Sequence, residues 1–312
     1  MSGSTGRDYV RTLPVQFGVV DNEMGDDFTR SVAIAADLGM THVEVLGLWG
    51  TPICEARGDL LARGKAELDR AGLRASTVIA PVFKSLVVRG ADPRHLDTVP
   101  GWRSHIEDLE AAFDAARALG CSRIRVFSGR RDTLPEKDNP SLREPDGGDV
   151  PGDRLAVVTA MLRDAAARAQ AQGVTLLVEN VRSCWGNSCR NLARVLEAAD
   201  HPALRAIWDP ANDFVSGGDG YPRGYAWIRP WIAGIHVKDA IVQDASSGLT
   251  AWECVGHGAA NISGAVEALL RDRYHGTVTL ETHWHPQGRS KEANSRESFA
   301  GLIGLIRTVR GH

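Results

Sequence analysis

Four short apolar runs end in groups that bind metals. LLVE closes on Glu179, IWD on Asp209 and VTLE on Glu281, while IAGIHV carries His236 one residue before its end. Three carboxylates and an imidazole gathered in one place would push protons onto one another by like-charge repulsion. A divalent cation resolves that conflict. An O3N donor set suits one Mn2+ foremost, with Mg2+, Co2+ or Zn2+ as the other choices, rather than a thiolate-loving metal. Four protein ligands leave about two octahedral positions for adjacent oxygens of a polyol or keto sugar. Any one of these acids alone reads more readily as a helix cap or an ion-pair partner. Their recurrence at consecutive run ends is what points to a site.

A cation that chelates a carbonyl and its neighbouring hydroxyl acidifies the C–H between them and stabilises the enediolate left on deprotonation. Glu179 and Glu281 are the expected acid/base pair. Reprotonation from the opposite face gives an epimer, and at the neighbouring carbon an isomer. Loss of a β-substituent from the same intermediate gives a dehydration or a glycosidic cleavage. The expected function is a divalent-metal-dependent sugar isomerase or epimerase, with a metal-dependent lyase or dehydratase as the alternative. A non-catalytic sugar-binding barrel is the reading of another class, and the paired glutamates argue against it.

Other residues fall near the same ends. Lys238 follows His236 in GIHVKDA, in a chain with only five lysines among its 36 basic residues. It is a candidate proton donor to a leaving oxygen, and a salt bridge to Asp239 or Glu253 is its plainer role. Candidate substrate contacts are Glu44, Trp49, Asn180, Trp185, Asn212, His257 and His283, with His285, Trp252 and Trp284 close by. Aromatic rings there could wall a pocket and stack on a sugar face.

The elements that must position these groups alternate along the whole chain. Apolar runs at 13–20, 41–48, 73–80, 122–128, 174–179, 204–209, 232–237 and 277–281 read as buried strands. Between them lie stretches of helical period, such as DDFTRSVAIAADLG, which opens on acids and closes on a glycine. Eight such units predict an α/β fold, a single (β/α)8 TIM barrel spanning 1–312 as one domain. A doubly wound sheet is the structural alternative, but no Gly-x-Gly-x-x-Gly follows the first strand. Three long connections, 80–100, 129–151 and 238–260, all follow strands and would gather at the catalytic face as a lid.

Composition narrows the partners. An apolar fraction of 43% is ample for a core, and a net charge of −3 gives no footprint for nucleic acid. No run approaches the roughly 18 apolar residues of a membrane span, and the polar MSGSTGRDYVRT start is unlike a signal peptide. The five cysteines match neither a zinc ribbon nor a redox pair and read as reduced thiols. A cytoplasmic protein acting on a small sugar-derived molecule, with no membrane or nucleic-acid partner and compatible with a homo-oligomer, is the expectation.

The segments LLVEN, IWDPAN, GIHVKD and VTLETHWHP, in this order, resemble the xylose isomerase-like TIM-barrel superfamily of sugar isomerases and epimerases. The resemblance implies Glu179, Asp209, His236 and Glu281 as ligands of one catalytic divalent metal. Ketose 3-epimerases of that superfamily carry a histidine, an acid and an arginine where this chain has Asn212, Trp185 and Val242. The His-x-Lys-Asp of the seventh run is more similar to the inosose dehydratase branch. Endonuclease IV-type members need several further histidines at strand ends, and this chain lacks one after Asp209.

Overall fold

The protein is described here from a computed structural model, which covers residues 3–134, 143 and 148–311. The apolar runs form eight strands: β1 (Gln16–Val20), β2 (His42–Val45), β3 (Arg74–Ile79), β4 (Arg123–Val126), β5 (Thr175–Glu179), β6 (Leu204–Trp208), β7 (Ile232–Val237) and β8 (Thr277–Leu280). Each pairs in parallel with its neighbours, and β1 returns to β8 in the register Gln16 opposite Thr277 through Val19 opposite Leu280, so the sheet closes into a barrel. A parallel sheet needs both faces covered. Here residues such as Val43, Ile124 and Leu176 are fully buried.

The helices are α1 (Gly3–Arg11), α2 (Phe28–Asp37), α3 (Gly58–Ala71), α4 (Trp102–Leu119), α5 (Gly152–Ala171), α6 (Cys189–Ala199), α7 (Pro210–Val215), α8 (Arg223–Ile228), α9 (Ile262–Arg271) and α10 (Lys291–Arg310). Their ends follow local chemistry. Asp27 caps α2 by accepting the Arg30 N–H at 2.8 Å, and Ser188 caps α6 through the Asn191 N–H. Glycine 72 closes α3 in the left-handed conformation that a Cβ disfavours. Phe299 of α10 meets Phe17 of β1 edge to face at 5.6 Å, which ties the last helix to the first strand. The barrel interior is tight as well: a Cβ on Gly234 of β7 would lie 3.1 Å from Ile207 of β6.

Two of the three long connections are more ordered than their composition suggests. Residues 238–260 hold an antiparallel hairpin, Asp239–Asp244 with Leu249–Glu253. The Asp239 carboxylate organises its base by accepting backbone N–H groups from Ala240, Gly256, Gly258 and Ala260. A Cβ on Gly258 would come 2.1 Å from Asp239 Oδ1, so this carboxylate needs glycine beside it. Residues 80–100 include a 3-10 turn at Leu96–Thr98, and Val87 bridges to Arg130. Of the 129–151 connection, residues 135–142 and 144–147 lie outside the described residues. Among the described residues, no helix is long and apolar enough to cross a membrane.

Candidate metal centre

Strand alternation sends every second side chain into the barrel, and the ends of β5 to β8 bring Glu179, Asp209, His236 and Glu281 together. One ligand atom from each lies within 4.8 Å of all the others, and all four residues are buried. Asp209 turns out to be both things that a strand-end aspartate can be. Its Oδ1 caps α7 by accepting the Asn212 N–H at 2.7 Å, while Oδ2 stays on the inner side, 2.9 Å from Lys238 Nζ.

His236 is held between acids. Its Nδ1 lies 3.2 Å from Glu179 Oε1 and 3.3 Å from Glu281 Oε2, and its Nε2 lies 3.0 Å from Glu44 Oε2. Glu44 comes from β2, across the barrel, and its other oxygen accepts the Thr279 hydroxyl at 2.7 Å. A proton on Nε2 satisfies Glu44 and leaves the Nδ1 lone pair for a cation at the centre, the usual arrangement of a metal-bound histidine.

Two internal cations share the acids. Lys238 Nζ donates to Glu281 Oε2 at 2.5 Å, and Arg125 of β4 lies with Nε 3.0 Å from Glu179 Oε2 and one terminal nitrogen 3.1 Å from Glu281 Oε1. The Asn212 amide donates to Glu179 Oε1 at 3.0 Å. Four buried carboxylates (Glu44, Glu179, Asp209, Glu281) therefore face two permanent cations. Burial acts against the charged His236, but Glu44, Glu281 and Glu179 outweigh it and raise the imidazole well above its ordinary range. Burial raises the Asp209 carboxyl to about 6 against the pull of Lys238. For Glu281, burial is outweighed by Lys238 and His236, which hold it well below the usual carboxylate range.

These residues fit a divalent cation. With His236 neutral and its Nδ1 lone pair on the cation, the cation's charge would balance the two negative charges left by the four carboxylates over Arg125 and Lys238. Glu179 Oε2 and Asp209 Oδ2 are buried at ion-pair distance from Arg125 and Lys238 yet outside hydrogen-bonding geometry, so each keeps acceptor capacity that a metal could use. Glu179, Asp209, Glu281 and His236 Nδ1 are the donors that would hold it. Above them opens a cavity of about 270 Å³.

The remaining expected residues divide. Lys238, Asn212, His283 and Trp252 line this cavity with Glu179 and Glu281. Lys238 is 1% exposed, and its partners are Asp209 and Glu281 rather than Asp239 or Glu253; its ammonium also sits 5.1 Å over the Trp252 ring. Trp252 in turn meets His283 edge to face at 5.4 Å. Glu44 supports His236 from behind, and Asn180 braces the Asp209 backbone by exchanging two hydrogen bonds of 2.8 and 2.9 Å. Trp49 packs on Phe28 and under Arg63, beside a neighbouring cleft. Trp185 is buried in the core. His257 is exposed and is not among the residues lining the cavity. His285 lies 4.0 Å from Glu23, and Trp284 packs under Arg289.

Four residues of this region were not anticipated: Arg125, Glu23, Lys84 and Arg182. Arg125 carried only a faint signal, being the second of two arginines in the half-polar strand RIRV. Glu23, in the turn after β1, accepts the His283 N–H at 3.2 Å. Burial, helped by Glu281, raises its carboxyl to about 7.

The chain matches the family model described as xylose isomerase-like TIM barrel over residues 32–304. No curated protein matches it. Among solved structures it is similar to an L-ribulose 3-epimerase, with 15% identity, TM-score 0.69, and 95% of this chain and 96% of that chain covered. A "probable 3-DHS dehydratase AsbF" from Bacillus anthracis shows 17% identity and TM-score 0.66 over 91% and 98% of the two chains. A xylose isomerase-like TIM barrel protein from Mycobacterium smegmatis in complex with magnesium shows 16% identity and TM-score 0.67 over 96% and 99%. At these identities the structural likeness speaks for the fold, and the family model covers most of the chain: the protein belongs to the xylose isomerase-like TIM-barrel family.

Proposed function

We propose that the protein is a divalent-metal-dependent isomerase or epimerase that works on a keto sugar or polyol derivative through an enediolate. The observation that carries this reading is the convergence of the buried Glu179, Asp209, His236 and Glu281, one ligand atom of each within 4.8 Å of the others, beside a cavity of about 270 Å³ that Glu179 and Glu281 line. That volume is at the small end of ligand sites and suits a monosaccharide-sized molecule. A bound divalent cation, Mn2+ foremost, with Mg2+, Co2+ or Zn2+ as the other choices, would polarise a carbonyl and acidify the adjacent C–H.

The chain's own groups do the rest. Glu179 and Glu281 accept and return the carbon-bound proton, steadied by the Arg125 guanidinium that touches both. Asn212 fixes Glu179 Oε1, and the barrel wall keeps bulk water from the carboxylates. Lys238, protonated and buried, donates to a substrate oxygen as charge develops there. The same ammonium favours one second reading, a dehydratase or other lyase, because it could protonate a departing oxygen. The five buried thiols accord with a reducing, cytoplasmic setting.

Incubation of the Mn2+-loaded protein in heavy water with keto sugars, keto-inositols and 3-keto glycosides tests this. An isomerase or epimerase builds deuterium into a product of unchanged composition, and a lyase releases water or an aglycone. Neither exchange nor elimination on any substrate the enzyme accepts would contradict the reading. Glu179→Gln and Glu281→Gln should each remove both outcomes.

A further inference from the structure

The strands carry a second pattern at their other ends. β2, β3 and β4 begin with His42, Arg74 and Arg123, three basic residues on the amino-terminal rim, opposite the rim that carries the four candidate ligands. Register sets His42 beside Arg74 on neighbouring strands. His42 stands two positions before Glu44, and Arg123 two before Arg125, and both of those later side chains reach partners inside the barrel. Strand alternation therefore turns His42 and Arg123 into the lumen as well, one layer lower. Arg123 reaches across it, one terminal nitrogen donating to the Ala233 carbonyl of β7 at 3.4 Å. Gly18 of β1 leaves the floor room: a Cβ there would lie 3.0 Å from Thr277 Cγ2 and 3.3 Å from His42 Cβ.

The result is a cavity of about 440 Å³ that His42, Arg74 and Arg123 line together with Gln16, His275 and Thr277. Its charge is unbalanced. Asp69 is the one acid among the described residues of its wall, and both oxygens of that carboxylate accept from Lys65, also on the wall, at 2.6 Å. The Arg74 side chain is exposed and, among the described residues, has no hydrogen-bond or ion-pair partner. Arg123 has the Ala233 carbonyl and no carboxylate. Burial, with Arg74 and Arg123 behind it, holds the His42 imidazole below its ordinary range against the pull of Glu44. Two guanidiniums without carboxylate partners, gathered in one concave site, repel each other and do nothing for stability on their own.

We propose that this cup binds a small oxyanion, a phosphate or carboxylate group, carried by a molecule other than the substrate of the metal centre. The guanidiniums of Arg74 and Arg123 present planar forks of donors that match either group, and the Gln16 amide and Thr277 hydroxyl line the same space. The buried Glu44, Arg125 and Thr279 lie between the cup and the four candidate ligands. The inference uses none of those ligands and stands apart from the metal reading.

Calorimetric titration with inorganic phosphate and with succinate tests it, on metal-stripped protein and on Mn2+-loaded protein freed of excess ion. At least one of the two anions should bind once per chain, with the same affinity in both preparations, and the tighter of them identifies phosphate or carboxylate. Arg74→Gln, a change at an exposed position, should weaken that binding about tenfold or more, and Arg74→Lys should weaken it less. Arg123→Gln should act in the same direction in protein that keeps its fold by circular dichroism. No binding of either anion up to millimolar concentration, or an affinity unchanged in Arg74→Gln, would overturn the site. Binding seen only with Mn2+ present would overturn it too, by placing the anion at the metal.

Discussion

Lys238 Nζ lies 2.5 Å from Glu281 Oε2 and, in the same position, 2.9 Å from Asp209 Oδ2, so an ammonium stands against two of the four donors of the candidate metal centre. A cation so close repels a second cation. Lys238→Met should therefore tighten Mn2+ binding, by about tenfold or roughly 1.4 kcal/mol, while lowering turnover by about a hundredfold or more. Titration calorimetry and a turnover assay on the same preparation check both halves. Weaker metal binding in the variant would mean that the lysine helps to assemble the centre rather than competing with its occupant.

Glu44 acts through His236. Replacing it with Gln removes the carboxylate behind Nε2 and frees the imidazole to rotate or to change tautomer. The loss expected for such a supporting partner is about 10–100-fold in metal affinity. The thermal midpoint of the metal-free protein should move much less, because the Thr279 hydroxyl can still donate to the amide oxygen. An unchanged Mn2+ affinity would show that the ring is held by packing alone.

Arg125 of β4 reaches both Glu179, which ends the neighbouring strand β5, and Glu281, which follows β8 across the barrel, and it is buried. Arg125→Met leaves Glu179 and Glu281 with less compensation, a change that costs about 3–5 kcal/mol for a broken buried pair. Mn2+ should return a large part of that loss. Urea unfolding with chelator and with Mn2+ measures the difference, and an identical destabilisation in both would separate Arg125 from the metal centre.

Asp21, after β1, accepts the Leu46 N–H at 2.7 Å, but burial outweighs its backbone partners and raises its carboxyl to about 7. The folded state thus prefers the protonated acid. Its stabilising contribution is complete below about pH 4, the unfolded value, and is lost as pH rises through about 7. A shift of this size corresponds to about 4 kcal/mol at most. Asp21→Asn should flatten the decline in stability between pH 5 and pH 8, which denaturant titration at the two values reads directly. A decline of the same size in the variant would place its origin elsewhere.

The barrel and the convergence of Glu179, Asp209, His236 and Glu281 were legible because both rest on short-range rules. Parallel strands buried on both faces are apolar until they end, so a charged residue at each end stands out, and the order of the units puts those ends on one rim. Contacts across the lumen carry no such mark. Glu44 could face the mouth or the wall on sequence grounds, and only closure of β1 against β8 brings it to His236. Arg125 looked like one polar residue in a half-polar strand, although one of its partners, Glu281, follows a strand four places further along the sheet. The 238–260 connection looked structureless because its order comes from one carboxylate, Asp239, gathering four N–H groups from residues up to 21 positions away. Trp185 and Asn180 illustrate the opposite error: adjacency to a ligand in sequence placed them near the site, while one fills the core and the other braces the backbone.

Electron paramagnetic resonance of chelator-stripped protein titrated with Mn2+ tests the central claim most directly. The account predicts one Mn2+ per chain, with the signal of the free ion suppressed until that point, and loss of this site in Asp209→Asn and His236→Gln proteins that keep their fold by circular dichroism. A free-ion signal that rises from the first addition, or a site that survives both substitutions unchanged, would contradict it.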